Sequence, residues 1–72
     1  MEFVVVSFAT ERDVLIDGVQ AGLTNHLITL APGTYTFSLD GRKTFRPRQR
    51  TVVVEGTSPL TPQEVHFEVR VA

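Results

Sequence analysis

Apolar residues in this chain recur at every second position, and nowhere do they hold helical spacing over three turns, so the pattern favours strands over amphipathic helices. Val65, Phe67, Val69 and Val71 alternate with His66, Glu68 and Arg70. That is how a strand reads when one face is buried and the other is wet. Tyr35, Phe37 and Leu39 alternate in the same way with Thr34, Thr36 and Ser38. Val14 with Ile16, and Ile28 with Leu30, mark two shorter runs, while residues 3–8 and 51–54 are rich in β-branched and aromatic side chains that suit a pleated surface.

The turn residues agree with this reading. Asp17-Gly18 and Asp40-Gly41 are turn dipeptides, because glycine takes a positive φ without steric cost. Pro32-Gly33 is a further turn signal just before Tyr35, and residues 56–62 read as a loop around a lone Leu60. Six or seven short strands separated by turns predict an all-β fold, a small antiparallel β-sandwich or partly open barrel. With 72 residues the chain has room for one domain, residues 1–72, and for no second one. It is 42% hydrophobic and 21% charged, enough to build a core. It has no Cys, which excludes disulfides and thiolate metal sites.

The order of these residues resembles a known family. Ser7 is followed by Val14, Ile16, Asp17 and Gly18, then by Gly22 and Thr24, then by Leu30, Pro32, Gly33 and Tyr35. Phe45, Pro47, Thr51, Val52, Val54 and Gly56 come next, before a closing strand over 65–71. This pattern looks like a PEGA domain, a β-sandwich module of bacterial and archaeal proteins with a prealbumin-like fold, and the likeness covers nearly the whole chain. The positions of the family's Pro-Glu-Gly-Ala loop hold Ala9, Thr10, Glu11 and Arg12, and Asn25 stands where a Pro usually follows the Thr. The resemblance implies an accessory interaction or scaffold module in surface, envelope or signalling proteins, with no shared catalytic residues. Fold alone does not give function.

The residues themselves point to no reaction. His26 and His66 are 40 positions apart in sequence and read as solvent-facing. Ser7, Ser38 and Ser58 lie in no activating motif. Asp13 and Asp17 flank a turn, a spacing any charged hairpin shows. No catalytic residue, metal ligand or cofactor is therefore expected, and the chain is not expected to be an enzyme. The longest apolar run is Phe3-Val4-Val5-Val6, far short of the roughly 20 residues of a membrane span. No secretory signal is expected from the start Met1-Glu2. A complete chain would thus be cytoplasmic, and a domain excised from an exported protein would be extracytoplasmic.

One segment stands out. Five of the seven Lys and Arg lie between positions 42 and 50: Arg42, Lys43, Arg46, Arg48 and Arg50. No acidic residue interrupts them, so the net charge of −1 belongs to a polarised molecule. On a strand, Arg46, Arg48 and Arg50 would share one face, with Phe45 beside them. Such a row could protect a sheet edge from pairing, or face acidic residues such as Glu64 and Glu68 of the same chain or of a symmetry mate. It could instead bind an anionic partner, an acidic protein or glycan, since the planar guanidinium donates two hydrogen bonds at once. Single-stranded nucleic acid would add stacking on Phe45, but a sequence pI near 6.0 speaks against it.

The first strand raises a further expectation. In the family register Phe3 and Val5 face inward, which leaves Val4, Val6 and Phe8 as an apolar outer stripe for a homodimer or another domain. Val53 and Leu15 likewise fall opposite their inward neighbours.

Overall fold

The computed structural model describes residues 1–70, and the last position of the expected closing strand, Val71, lies outside them. Alternation does build an all-β protein. Among the described residues nine strands form and no helix does: β1 (Glu2–Ser7), β2 (Asp13–Ile16), β3 (Val19–Leu23), β4 (Leu27–Leu30), β5 (Gly33–Leu39), β6 (Phe45–Arg46), β7 (Arg50–Val54), β8 (Gln63–His66) and β9 (Glu68–Val69). One sheet has the order β4-β1-β8, the other β3-β2-β5-β7, and β6 pairs with β9 in a short ribbon. The two sheets form a β-sandwich. All pairings are antiparallel except β1 with β8, which run parallel.

The core lies where the inward positions of the two sheets meet. Val4, Val6, Ile28 and Val65 come from one sheet, and Val14, Phe37, Leu39 and Val54 from the other; Phe45 and Phe67 close one end. Register explains the match, since Val4 sits opposite Ile28, Val6 opposite Val65, and Val14 opposite Leu39. This reverses the expected phase of the first strand. Val4 and Val6 are fully buried, whereas Phe3 and Val5 are only partly covered. Neither valine is available to a partner, and Phe8 packs partly buried against the same core. Both edges of β1 are also occupied, by β4 and β8. The expected apolar interface of Val4, Val6 and Phe8 is therefore part of the interior.

Elsewhere the expected faces hold. Val53 is 56% exposed between half-buried Val52 and buried Val54. Asp17 and Gly18 both have positive φ, 52° and 83°, the geometry of a two-residue hairpin turn. Their hairpin joins β2 to β3, a strand the alternation did not announce. Gly22 on β3 is held to glycine by proximity, because a Cβ there would lie 2.9 Å from Ile28 Cγ1.

At the end of the sandwich where β1 begins, a polar clamp fixes the loop after β7. The Glu2 carboxylate accepts hydrogen bonds from Thr57 N–H (2.8 Å) and Thr57 Oγ1–H (2.6 Å), while Phe3 N–H donates to Thr57 Oγ1 at 2.7 Å. The bonds from the Thr57 hydroxyl and then its N–H hold the Glu2 carboxyl below its ordinary value of 4.5.

Two outcomes test this architecture. Val4→Ala should cost roughly 1.5–3 kcal/mol in chemical denaturation, by loss of buried methyl groups. Val53→Ala should cost less than about 0.5 kcal/mol as a surface change; equal costs would contradict the register. A folded carboxyl held low contributes stability above pH 4.5 that is lost as pH falls through the folded value. Thr57→Val should therefore flatten the decline in stability below pH 4.5 relative to the parent, measured by denaturant melts across that range.

Candidate functional site

The far end of the sandwich collects the cations. The segment 40–49 leaves β5 there, contributes β6, and re-enters the second sheet at β7. It is not one continuous strand. Pro47 has no N–H to donate to a ladder, and the chain breaks between Arg46, which ends β6, and Arg50, which begins β7. Arg46, Arg48 and Arg50 therefore do not form a row on one face of an edge strand.

They surround two adjoining clefts instead. Lys43, Phe45, Arg46, Arg48 and Arg70 line the first, about 380 Å³ in volume. Arg46, Pro47, Arg50, His66 and Glu68 line the second, about 350 Å³. Arg46 is the wall they share. Its Nε–H donates to Glu68 Oε2 at 3.3 Å, and Arg50 Nη1–H reaches the His66 carbonyl at 3.3 Å across the gap between the sheets. The Arg46–Glu68 contact realises one of the pairings the sequence allowed. Glu64 instead lies 3.9 Å from His66 Nε2. Among the described residues, Lys43, Arg48 and Arg70 have no carboxylate partner.

Phe45 differs from its expected role. It is only 3% exposed, so it forms a floor and offers no stacking platform for a base. Its ring meets Phe67 edge-on with centroids 5.7 Å apart and Phe8 edge-on at 6.3 Å. Cations lie over two of these rings, Phe8 and Phe45. The Arg12 guanidinium carbon lies 5.5 Å from the Phe45 centroid and 5.6 Å from that of Phe8, and Lys43 Nζ lies 5.7 Å from Phe45, all within cation–π range. Arg12 also donates to the Arg42 carbonyl at 2.8 Å.

Arg12 and Arg70, the two cations outside the basic segment, thus join the other five at this end. Arg12 arrives because residues 8–13 are pinned. Buried Thr24 accepts from Arg12 N–H (2.9 Å) and donates to the Thr10 carbonyl (2.7 Å), while its own N–H bonds the Arg12 carbonyl (2.9 Å). Asn25 takes a positive φ of 63° and brackets Phe8 through Oδ1 and Nδ2. Arg70 arrives because its N–H bonds the Thr44 carbonyl at 2.8 Å, extending the β6-β9 ribbon. Nearby carboxylates are engaged: Glu11 with His26 (3.0 Å), Asp13 with Gln20 (3.0 Å) and Asp40 with Gly41 N–H (2.9 Å).

The geometry can attract and orient an anion. The two histidines sit apart on exposed positions, and among the described residues no three His, Asp or Glu side chains converge. No family model, curated protein or solved structure matches the chain.

The pinning can be tested. Thr24→Val, which keeps shape but removes the hydroxyl, should destabilise the fold by roughly 1–3 kcal/mol by leaving buried groups unpaired. It should also increase amide exchange in residues 8–13 before the rest of the sandwich opens. Unchanged protection in that loop would contradict the role given to Thr24.

Proposed function

We propose that this domain is a non-catalytic interaction module of the PEGA type, and that its cationic end engages the acidic surface of a partner protein. The observation that carries this reading is the gathering of all seven Lys and Arg at one end of a sandwich whose net charge is −1. Such a concentration of one sign favours a complementary surface, steers encounter and disfavours wrong partners. Lys43, Arg46, Arg48 and Arg70 line a single cleft, where among the described residues one carboxylate, Glu68, pairs with them, so an incoming anion offsets repulsion already present. The family reading draws support from the Asp17-Gly18 hairpin, from buried Thr24, and from Tyr35 closing on the Ala31 carbonyl at 2.6 Å. A nucleic-acid reading would need Phe45 as a stacking surface, and its burial argues against that.

Binding of an Asp- and Glu-rich peptide, measured by titration calorimetry, tests the reading. Affinity should fall steeply as salt screens the charges. Arg46→Glu combined with Arg48→Glu should weaken it at least about tenfold, while Thr29→Glu on the opposite sheet face should leave it unchanged. Peptide binding that survives the double reversal would refute the proposal.

A further inference from the structure

The cationic end has an internal structure that a diffuse patch would lack. Four side chains converge on one cleft of about 380 Å³, within the range of small-ligand sites. They come from three places in the chain: Lys43 from the loop before β6, Arg46 and Arg48 from either side of Pro47, and Arg70 just after β9. The backbones of Arg46 and Arg70 are held by the β6-β9 pairing of Phe45 with Val69 and Arg46 with Glu68 and by Arg70 N–H on the Thr44 carbonyl, beside the buried Phe45 ring, and Lys43 and Arg48 flank this frame. The cleft is therefore supported from beneath by the core, while its cationic heads stay at the rim.

Charge count indicates the ligand. The lining carries four positive charges, and among the described residues the one ion-paired carboxylate, Glu68, takes up only the Nε–H of Arg46. The remaining guanidinium N–H groups of Arg46, with Arg48, Arg70 and Lys43, exceed what a single carboxylate can accept. A phosphate monoester carries close to two negative charges at neutral pH and three acceptor oxygens, and it matches forked guanidinium donors. We infer that this cleft is a recognition site for a phosphate monoester group, with Arg48 and Arg70 as its principal donors, Lys43 and Arg46 as flanking charges, and Glu68 as the competitor that a ligand displaces from Arg46. The inference deepens the anionic-partner reading and rests on it.

Isotope-edited NMR on the whole domain tests it, with inorganic phosphate, glucose 6-phosphate, a phosphoserine peptide and acetate as probes. The three phosphates should move the amide resonances of residues 43–46, 48 and 70 saturably, and acetate should bind at least about tenfold more weakly. A stronger response to the phosphoserine peptide would make a partner protein the source, and a stronger response to glucose 6-phosphate a free metabolite. Arg48→Gln and Arg70→Gln should each weaken phosphate binding by about tenfold or more, the loss of a charge-assisted bond pair. Arg42→Gln removes the same charge from the same loop outside the cleft and should have little effect. Glu68→Gln should tighten binding. Affinity should also drop as pH falls below about 6, where the dianionic monoester takes up a proton and becomes a monoanion. Equal binding of acetate, or equal losses in Arg42→Gln and Arg48→Gln, would overturn the assignment. If phosphate fails while the acidic peptide still binds the same sample in a salt-sensitive manner, only the cleft assignment falls. If both fail, the interaction reading falls with it.

Discussion

Phe45 decides how the most charged part of this chain meets the rest of it. It is the only large apolar side chain in a segment that otherwise carries five cations, a proline and polar residues. Burying a phenylalanine contributes roughly 1.5–3 kcal/mol, while burying an unpaired guanidinium costs far more. The two demands have one joint solution. The ring enters the end of the core between Phe8 and Phe67, and Lys43, Arg46 and Arg48 remain at the rim around it. The location of the cleft follows from that division.

The cations are also stabilised by the anchor that gathers them. Arg12 and Lys43 sit over Phe45, and Arg12 also over Phe8, where the negative faces of the rings offset part of their charge. Arg50 satisfies a donor on the His66 carbonyl, and Arg46 satisfies one on Glu68. These contacts are exposed, so each contributes little to stability by itself. Their effect is positional. They hold some of the cations against the protein, while Arg48 and Arg70 line the cleft without such contacts among the described residues.

Alternation announced the sandwich because most strands have one apolar face. Tyr35, Phe37 and Leu39 gave β5 its phase correctly. The first strand carried no such information. Phe3, Val4, Val5 and Val6 are apolar in succession, and a one-residue shift exchanges the two faces of a strand. Only pairing with Ile28 and Val65 settles which face is inside. β3 escaped notice because Val19-Gln20-Ala21-Gly22-Leu23 is poor in strand-forming residues; its hairpin turn and the contact of Gly22 with Ile28 place it instead. The closing run broke at Phe67, where the chain changes partner from β1 to β6. A period of two records which way side chains point, and it says nothing of which strand lies alongside.

The same limit explains which part of the site was readable. The five clustered cations were visible as a window of composition, but their arrangement as a row assumed one strand across Pro47. Arg12 and Arg70 lie outside that window, and they reach the site through backbone hydrogen bonds to Thr24 and Thr44. Of these, Thr24 figured in the sequence only as one residue of the family pattern, and Thr44 not at all. The rim and the support beneath it are consequently separable. The groups that would meet a ligand are exposed side chains, whereas the groups that bring them together are Phe45, Thr24 and the β6-β9 pairing. A domain built this way can change what it binds through the rim residues while the sandwich that positions them stays intact.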